Sequence, residues 1–185
     1  MTMNSTPLSH EETIVTSQQL LERAQILYEF VDLFSQYEST PRNYGWTENL
    51  TMNEVHLLAK IDSEPGICSV DLVEVFHRSK GYISRITKKL EAGGYIIRVA
   101  DKQDAKRQLL CLTPSGKKLC TAHADFDERA LIKTYRYLRR DCTPEEIDAF
   151  HKVMQVYINI MNAASRKQRA AKKRSTKNNG AGSPE

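Results

Sequence analysis

The stretch "SKGYISRITKKLEAGG", residues 79–94, decides the fold, because its apolar residues recur at helical spacing and its two final glycines are typical of a helix end. Ile83, Ile86 and Leu90 form one stripe along this helix. On a helical wheel with that stripe buried, the opposite face carries only small, polar and cationic side chains. The segment therefore predicts a short helix whose outer surface suits an anionic ligand.

A second short helix is predicted just before it, in "SVDLVEVFH", residues 69–77. Ser69 is a plausible N-cap, and Leu72, Val75 and Phe76 are expected to face inward. Two short helices joined by a tight turn are typical of a helix-turn-helix.

A third helix precedes this pair in "LTMNEVHLLAKIDSEPG", residues 50–66. Thr51 and Glu54 have the spacing of a capping box, in which each side chain bonds the other residue's backbone amide. The pattern then supplies an apolar face made of Val55, Leu58 and Ile61. We therefore expect a helix that contributes to the same core as the helix-turn-helix.

The apolar spacing changes after Gly94 from helical to β-type. "YIIRV" at residues 95–99 and "QLLCLT" at residues 108–113 read as two strands, and the charged loop "DKQDAKR" at residues 101–107 connects them. A helix-turn-helix followed directly by such a hairpin is a winged-helix arrangement. The predicted fold is thus mainly α with a small β-hairpin wing, with the winged helix-turn-helix at about residues 50–113.

Long amphipathic helices are predicted on both sides of this lobe, at about residues 16–38 and 115–164. The second region divides into two helices, because Thr143, Pro144 and Glu146 form a new start signal. The apolar stripes can pack onto their own chain or onto a second copy, and their spacing favours neither. We expect one domain at residues 16–164, preceded by a flexible segment at residues 1–15.

Positive charge is concentrated in two places. Residues 76–107 carry 9 Lys/Arg and 3 Asp/Glu, a net charge of +6, whereas residues 1–75 carry 3 and 12, a net charge of −9. An embedded basic segment is the footprint of a surface that meets a polyanion, although solvated basic faces also occur. The tail at residues 165–185 is also basic and is expected to be disordered, as an electrostatic arm or as an expendable end.

The basic residues suggest specific contacts with double-stranded DNA. Arg85 is expected to read a base, because a guanidinium bonds the O6 and N7 of guanine together, whereas Lys88 and Lys89 suit phosphates. Asp104 is expected to turn inward, where it accepts hydrogen bonds that hold the loop or pairs with a wing cation. The candidate contacts on the recognition helix are Ser79, Lys80, Gly81, Tyr82, Ser84, Arg85, Lys88 and Lys89, and those on the wing are Lys102, Asp104, Lys106 and Arg107.

Other classes of function lack a sequence signal. The four cysteines and five histidines show no metal-binding spacing, and no catalytic constellation or phosphate-binding loop is found, so we expect no metal, no cofactor and no enzymatic activity. The main alternative is a winged-helix module that binds a protein or RNA. No signal peptide or membrane span is predicted, and the protein is expected to be soluble and cytoplasmic.

The order of "LTMNEVHLL", "ISRITKKLEAGGYI" and "DKQDAKRQLLCLTPSG" resembles the MarR family of bacterial winged-helix transcription regulators. Asp104, Leu112, Thr113 and Gly116 match the family's wing pattern, but the wing arginine falls on Lys106, with Arg107 one place later.

The resemblance implies a homodimer built by the N- and C-terminal helices, a pseudo-palindromic operator and, commonly, repression. It also implies that a small aromatic or phenolic effector can release the DNA. Tyr37, Tyr44 and Trp46 are the candidate pocket residues for such an effector, with core or interface aromatics as the alternative.

Overall fold

A computed structural model describes residues 16–45, 48–104 and 107–179, and the side chains as far as residue 168. The chain forms two compact units, one ending at Asp127 and the other beginning at Glu128. Within the described residues, no helix combines the length and apolar character needed to cross a membrane.

The first helix, α1, spans Ser17–Ser39, close to the predicted bounds. Thr16 caps it, since its Oγ1 accepts a hydrogen bond from the Gln19 amide at 3.3 Å. None of the residues of α1 is buried within this chain, and Val31 is 52% exposed. Two short antiparallel strands that the sequence did not predict follow it, β1 (Arg42–Asn43) and β2 (Asn49–Leu50).

The predicted helix-turn-helix is confirmed by α2 (Met52–Ser63), α3 (Ser69–Val75) and α4 (Lys80–Ala92). The capping box of Thr51 and Glu54 forms as expected.

Two details of α3 differ from the prediction. The N-cap is Cys68 instead of Ser69, because the Asp71 carboxylate reaches back to accept a hydrogen bond from the Cys68 amide at 2.9 Å. Leu72 is fully buried, but Val75 is 43% exposed, so its predicted inward orientation is wrong.

The wing is an antiparallel hairpin of β3 (Ile96–Ala100) and β4 (Gln108–Leu112), which pair from Ile96 opposite Leu112 to Ala100 opposite Gln108. The hairpin is confirmed, with its first strand starting one residue later than predicted. The Leu110 amide also donates to the carbonyl of Ile67 at 2.9 Å, so β4 is tied to the segment before α3.

The core of the first unit lies between α2, α3, α4, the hairpin and the start of α5 (Pro114–Asp141). Its apolar side chains are almost completely excluded from solvent. The most deeply buried of them include Leu50, Val55, Leu57, Leu58, Leu72, Ile83, Leu90, Ile96, Leu110 and Leu119. This core fixes the rotation of α4 about its own axis, because Ile83, Ile86 and Leu90 point into it, as predicted.

Gly116 allows α5 to start directly against the hairpin. A Cβ atom at this position would lie 2.1 Å from the backbone oxygen of Tyr95. The side chain of Thr113 joins the two segments, since its Oγ1 donates to the carbonyl of Gly94 at 2.6 Å and accepts from the amide of Gly116 at 3.1 Å. Only glycine permits this approach of helix and strand.

The second unit holds the end of α5 and the whole of α6 (Pro144–Asn179). The predicted capping box forms: the Thr143 amide donates to Glu146 at 2.7 Å, and the Glu146 amide donates to Thr143 at 3.2 Å. The backbone of α6 stays helical to Asn179. The sequence analysis predicts disorder from residue 165, so the structure differs from that prediction over residues 165–179. The predicted flexible segment at residues 1–15 and the end of the tail at residues 180–185 lie outside the described residues.

Candidate nucleic-acid interface

The helix α4 presents a polar surface to solvent. Ser79 caps its first turn, since its Oγ accepts a hydrogen bond from the Tyr82 amide at 3.2 Å. Opposite the buried stripe, Gly81, Ser84 and Arg85 are exposed. Tyr82 is half-buried, and the remaining candidates of this helix, Ser79, Lys80, Lys88 and Lys89, are also exposed. The predicted outer face is therefore small, polar and cationic in the structure.

Arginine side chains flank the ring of Tyr82. The guanidinium carbon of Arg85 lies 5.4 Å from the ring centroid, and that of Arg78 lies 5.5 Å from it. Such cation–π contacts are worth about 0.5–1 kcal/mol at exposed sites. The ring thus restrains Arg85 at the surface while its planar group stays accessible.

Lys89 is held in a different way from its neighbour Lys88. Its Nζ atom lies 2.9 Å from both carboxylate oxygens of Glu54, a residue of α2 that is only 7% exposed. The same carboxylate accepts the hydrogen bond from the Thr51 amide that caps α2. Glu54 therefore joins α2 to α4, a role that the capping-box pattern did not reveal.

The wing cation Arg107 also has an acidic partner. Its Nη2 atom lies 2.8 Å from Oδ2 of Asp71 in α3. The Asp71 carboxylate accepts further hydrogen bonds from the Sγ and the amide of Cys68, at 3.0 and 2.9 Å. These Cys68 bonds, with a smaller contribution from Arg107, hold the pKa of Asp71 below its ordinary value.

Backbone hydrogen bonds close the loop of the wing. The Asp101 amide donates to the Arg107 carbonyl at 3.0 Å, and the Arg107 amide donates to the Asp104 carbonyl at 2.8 Å. Lys102 and Asp104 are both exposed, so the predicted inward orientation of Asp104 is not seen. Lys106 stands where the MarR wing pattern has its arginine, and it lies outside the described residues.

Arg98 is a functional candidate that the sequence analysis missed. Its Nε atom donates to Glu91 at 3.0 Å, and its Nη2 donates to the hydroxyl of Thr87 at 3.2 Å. Because Glu91 and Thr87 belong to α4, these bonds join the wing strand β3 to α4. The arginine in "YIIRV" was a visible signal, but its partners depend on the fold.

The three candidate effector residues differ in their surroundings. Tyr37 is 44% exposed, and the guanidinium carbon of Arg42 lies 3.6 Å from its ring centroid. Tyr44 is 2% exposed and packs edge-on against the rings of His123 and Phe126. Burial raises the pKa of the Tyr44 phenol to about 12. Tyr44 thus belongs to the core, which was the alternative interpretation, and Trp46 lies outside the described residues.

One group of side chains could hold a metal ion. His56, His123 and Asp127 place one potential ligand atom each within 4.8 Å of the others. The spacing rules applied to the sequence did not find this group.

Comparison with known proteins gives concordant matches. A model of the MarR family matches residues 50–107, the winged-helix segment up to the end of the wing loop. The chain is 31% identical over 104 residues to an uncharacterised HTH-type transcriptional regulator, YhjH, of Bacillus subtilis (strain 168). That alignment covers 56% of this chain and 59% of the relative, so the chain spans about three fifths of the length of this curated relative.

Solved structures share the fold. FabT of Streptococcus pneumoniae, crystallised in complex with DNA, is similar with a TM-score of 0.58 and 19% identity, covering 80% of this chain and 98% of that chain. AbsC, a MarR family transcriptional regulator from Streptomyces coelicolor, has a TM-score of 0.60 and 18% identity, covering 80% and 97%. At these identities the likeness shows the fold, and it confirms the predicted winged helix-turn-helix with flanking helices.

Proposed function

We propose that the protein is a sequence-specific, double-stranded DNA-binding transcription regulator of the MarR family that acts as a homodimer, because the model of that family matches its winged-helix segment, residues 50–107. Regulators of this family are DNA-binding proteins and not enzymes. We further propose that it represses from a pseudo-palindromic operator in the cytoplasm. Repression, and release by a small aromatic or phenolic effector, rest on the resemblance alone.

The observation that carries the proposal is the outer face of α4. Its exposed residues Gly81, Ser84, Arg85 and Lys88 include two cations and no large apolar side chain. A helix of this kind fits the major groove of B-DNA, which is about 12 Å wide, because its small residues let the backbone approach and its cations reach base edges and phosphates. An exposed apolar face, which a protein partner would favour, is missing from the described surface of α4.

The homodimer is supported by the apolar side chains that the flanking helices leave exposed. Within one chain, about half of the surface of many of these side chains is open to solvent on both α1 and α6. They include Leu20, Leu21, Ile26, Phe30, Val31, Leu33 and Phe34 of α1, and Phe150, Val153, Val156, Tyr157, Ile158, Ile160 and Met161 of α6. Exposed apolar faces of this extent mark protein interfaces, and a two-fold dimer would present its α4 helices to successive turns of the duplex.

Selection of random duplex DNA by the purified protein, at two salt concentrations, tests the proposal. We expect an inverted repeat that persists at the higher salt concentration. Recovery of unrelated sequences that disappear with salt would leave only electrostatic attraction and would contradict sequence-specific binding. In a parallel selection from random RNA, recovery of a common RNA structure together with no motif in duplex DNA would favour the alternative class of partner.

The Arg85→Ala variant then tests the role of α4 in reading sequence. We expect its affinity for the selected site to fall by roughly 1–3 kcal/mol, and its affinity for random DNA to fall less, because a bidentate contact with guanine is specific. Arg129→Ala, which removes an exposed arginine of α5, is the matched control for the loss of charge. Equal losses on both DNAs would reassign Arg85 to a phosphate contact.

A further inference from the structure

Two histidines and an aspartate come together away from the outer face of α4. His56 lies on α2, and His123 and Asp127 lie one turn apart on α5. Oδ2 of Asp127 is 3.3 Å from Nε2 of His123 and 3.6 Å from Nε2 of His56. We propose that these three side chains bind one divalent transition-metal ion of the zinc class per chain.

The distances between the ligand atoms fit a tetrahedral ion. Zinc binds histidine nitrogen and carboxylate oxygen at about 2.0–2.2 Å, so two ligands at corners of a tetrahedron lie about 3.4 Å apart. The two measured distances to Asp127 lie on either side of that value, and all three ligand atoms lie within 4.8 Å of one another. Small side-chain rotations are therefore sufficient to close the site around an ion.

The chemistry of the ligands selects the class of metal. Two imidazoles and one carboxylate suit zinc and its neighbours, whereas calcium and magnesium prefer sites made of oxygen atoms alone. A histidine must be neutral to donate its lone pair.

His123 is held in place before any ion arrives. His123 is 4% exposed, and its ring packs edge-on against that of Tyr44, with the ring centroids 5.1 Å apart. The ring of His56 lies beside it, with centroids also 5.1 Å apart. Among the described residues, Nδ1 of His123 has no hydrogen-bond partner, so the polar contact of this ring is made by Nε2, on the side of Asp127.

The site is accessible from solvent. The side chains of His56 and Asp127 are 41% and 32% exposed. Three protein ligands leave the fourth tetrahedral position to water or to a small-molecule donor. An ion bound here would connect α2 of the helix-turn-helix to α5, which goes beyond the proposed function and does not require DNA.

Metal affinity is the first test. The metal-free full-length chain is titrated with Zn²⁺ in competition with a chromophoric chelator, without DNA, so a failure of the DNA proposal leaves this result intact. We expect one tight site per chain, weakened at least about tenfold in both His56→Gln and Asp127→Asn, because each loses a direct ligand. The matched controls are His151→Gln on α6 and Asp125→Asn on the exposed surface of α5.

The part-exposed ligands are chosen because replacing buried His123 could unfold the protein, and a thermal melt of each variant checks the fold. Affinities of His56→Gln and Asp127→Asn equal to those of the controls would overturn the proposal.

Co²⁺ as a spectroscopic probe gives a second, independent readout. Four-coordinate Co²⁺ absorbs visible light far more strongly than six-coordinate Co²⁺, and thiolate ligands add a near-ultraviolet charge-transfer band. We expect the strong visible bands without the thiolate band, and their loss in Asp127→Asn but not in Asp125→Asn. A thiolate band would assign the ion to the cysteines and contradict the proposed ligand set.

Discussion

Helix α4 and the wing both carry basic side chains, but most of the α4 cations are exposed while Arg107 of the wing is paired. On α4, Arg85 and Lys88 face solvent, and Lys88 has no ion-pair partner among the described residues. On the wing, Arg107 is paired with Asp71 of α3. A phosphate can approach Arg85 and Lys88 directly, whereas it must compete with a carboxylate for Arg107 of the wing, and also for Lys89 of α4. Net charge along the sequence therefore overstates what the wing can offer to DNA.

The contact between the start of α5 and the wing hairpin gives the largest expected effect on stability. Gly116→Ala would place a Cβ atom 2.1 Å from the Tyr95 backbone oxygen, and a backbone atom cannot move aside as a flexible side chain can. We expect the free energy of unfolding to fall by about 3 kcal/mol, measured by urea denaturation.

Gly81→Ala is the matched control, because a Cβ at position 81 would meet nothing within 4 Å and alanine favours a helix. We expect Gly81→Ala to keep or slightly raise stability. A Gly116→Ala variant as stable as the wild type would show that α5 and the hairpin move apart at little cost in free energy. The close contact at Gly116 would then not contribute to the stability of the wing.

Adjacent lysines of α4 sharpen the comparison within one helix. Lys89→Met is expected to lower the free energy of unfolding by about 1 kcal/mol, because it leaves the buried Glu54 carboxylate without its partner while the lysine itself is half-exposed. Lys88→Met is expected to leave stability unchanged and to reduce the slope of log affinity against log salt by about 1, since one phosphate contact is lost. If Lys89→Met reduced this slope as much as Lys88→Met does, the ion pair with Glu54 would not keep Lys89 from contacting a phosphate.

The wing ion pair gives the smallest expected effect, seen as a dependence on pH. The pKa of Asp71 is lowered in the folded state, so its contribution to stability is present above the ordinary carboxyl pKa of 3.8 and is lost as the pH falls through the folded-state value. We expect Asp71→Asn to cost less than about 1 kcal/mol at pH 7, because the side chain is 41% exposed, and the difference from the wild type to vanish in acid. Denaturation at both pH values checks this, with Asp125→Asn as the control. A difference that persists in acid would point to the shape of Asp71, not its charge.

Local signals in the sequence predicted much of the fold. The capping boxes of Thr51–Glu54 and Thr143–Glu146 depend on residues three positions apart, and both form. The hairpin and the buried stripe of α4 were also predictable, because spacing of two or of three to four residues reports burial directly. The length of α6 was not, since a basic, polar tail suggests disorder although alanine, lysine, arginine and glutamine are good helix formers.

Contacts distant in sequence were beyond prediction from one chain. Lys89 and Glu54 are 35 positions apart, and Arg107 and Asp71 are 36 apart, so no local pattern indicates that they pair. The group of His56, His123 and Asp127 was not predictable for the same reason: His56 is distant in sequence, and a histidine followed four positions later by an aspartate is a weak signal for a metal site. The candidate surface was predicted as a set of charges, and only the fold distinguishes exposed charges from neutralised ones.

The Glu54 carboxylate makes two interactions: it accepts a hydrogen bond from the Thr51 amide at the start of α2, and it forms an ion pair with Lys89 of α4. Arg98 fastens the wing strand to the same helix. These bonds connect α2, α4 and β3 within the first unit. We expect α4 to keep its orientation relative to α2 and the wing when it meets DNA half-sites of different separation or curvature.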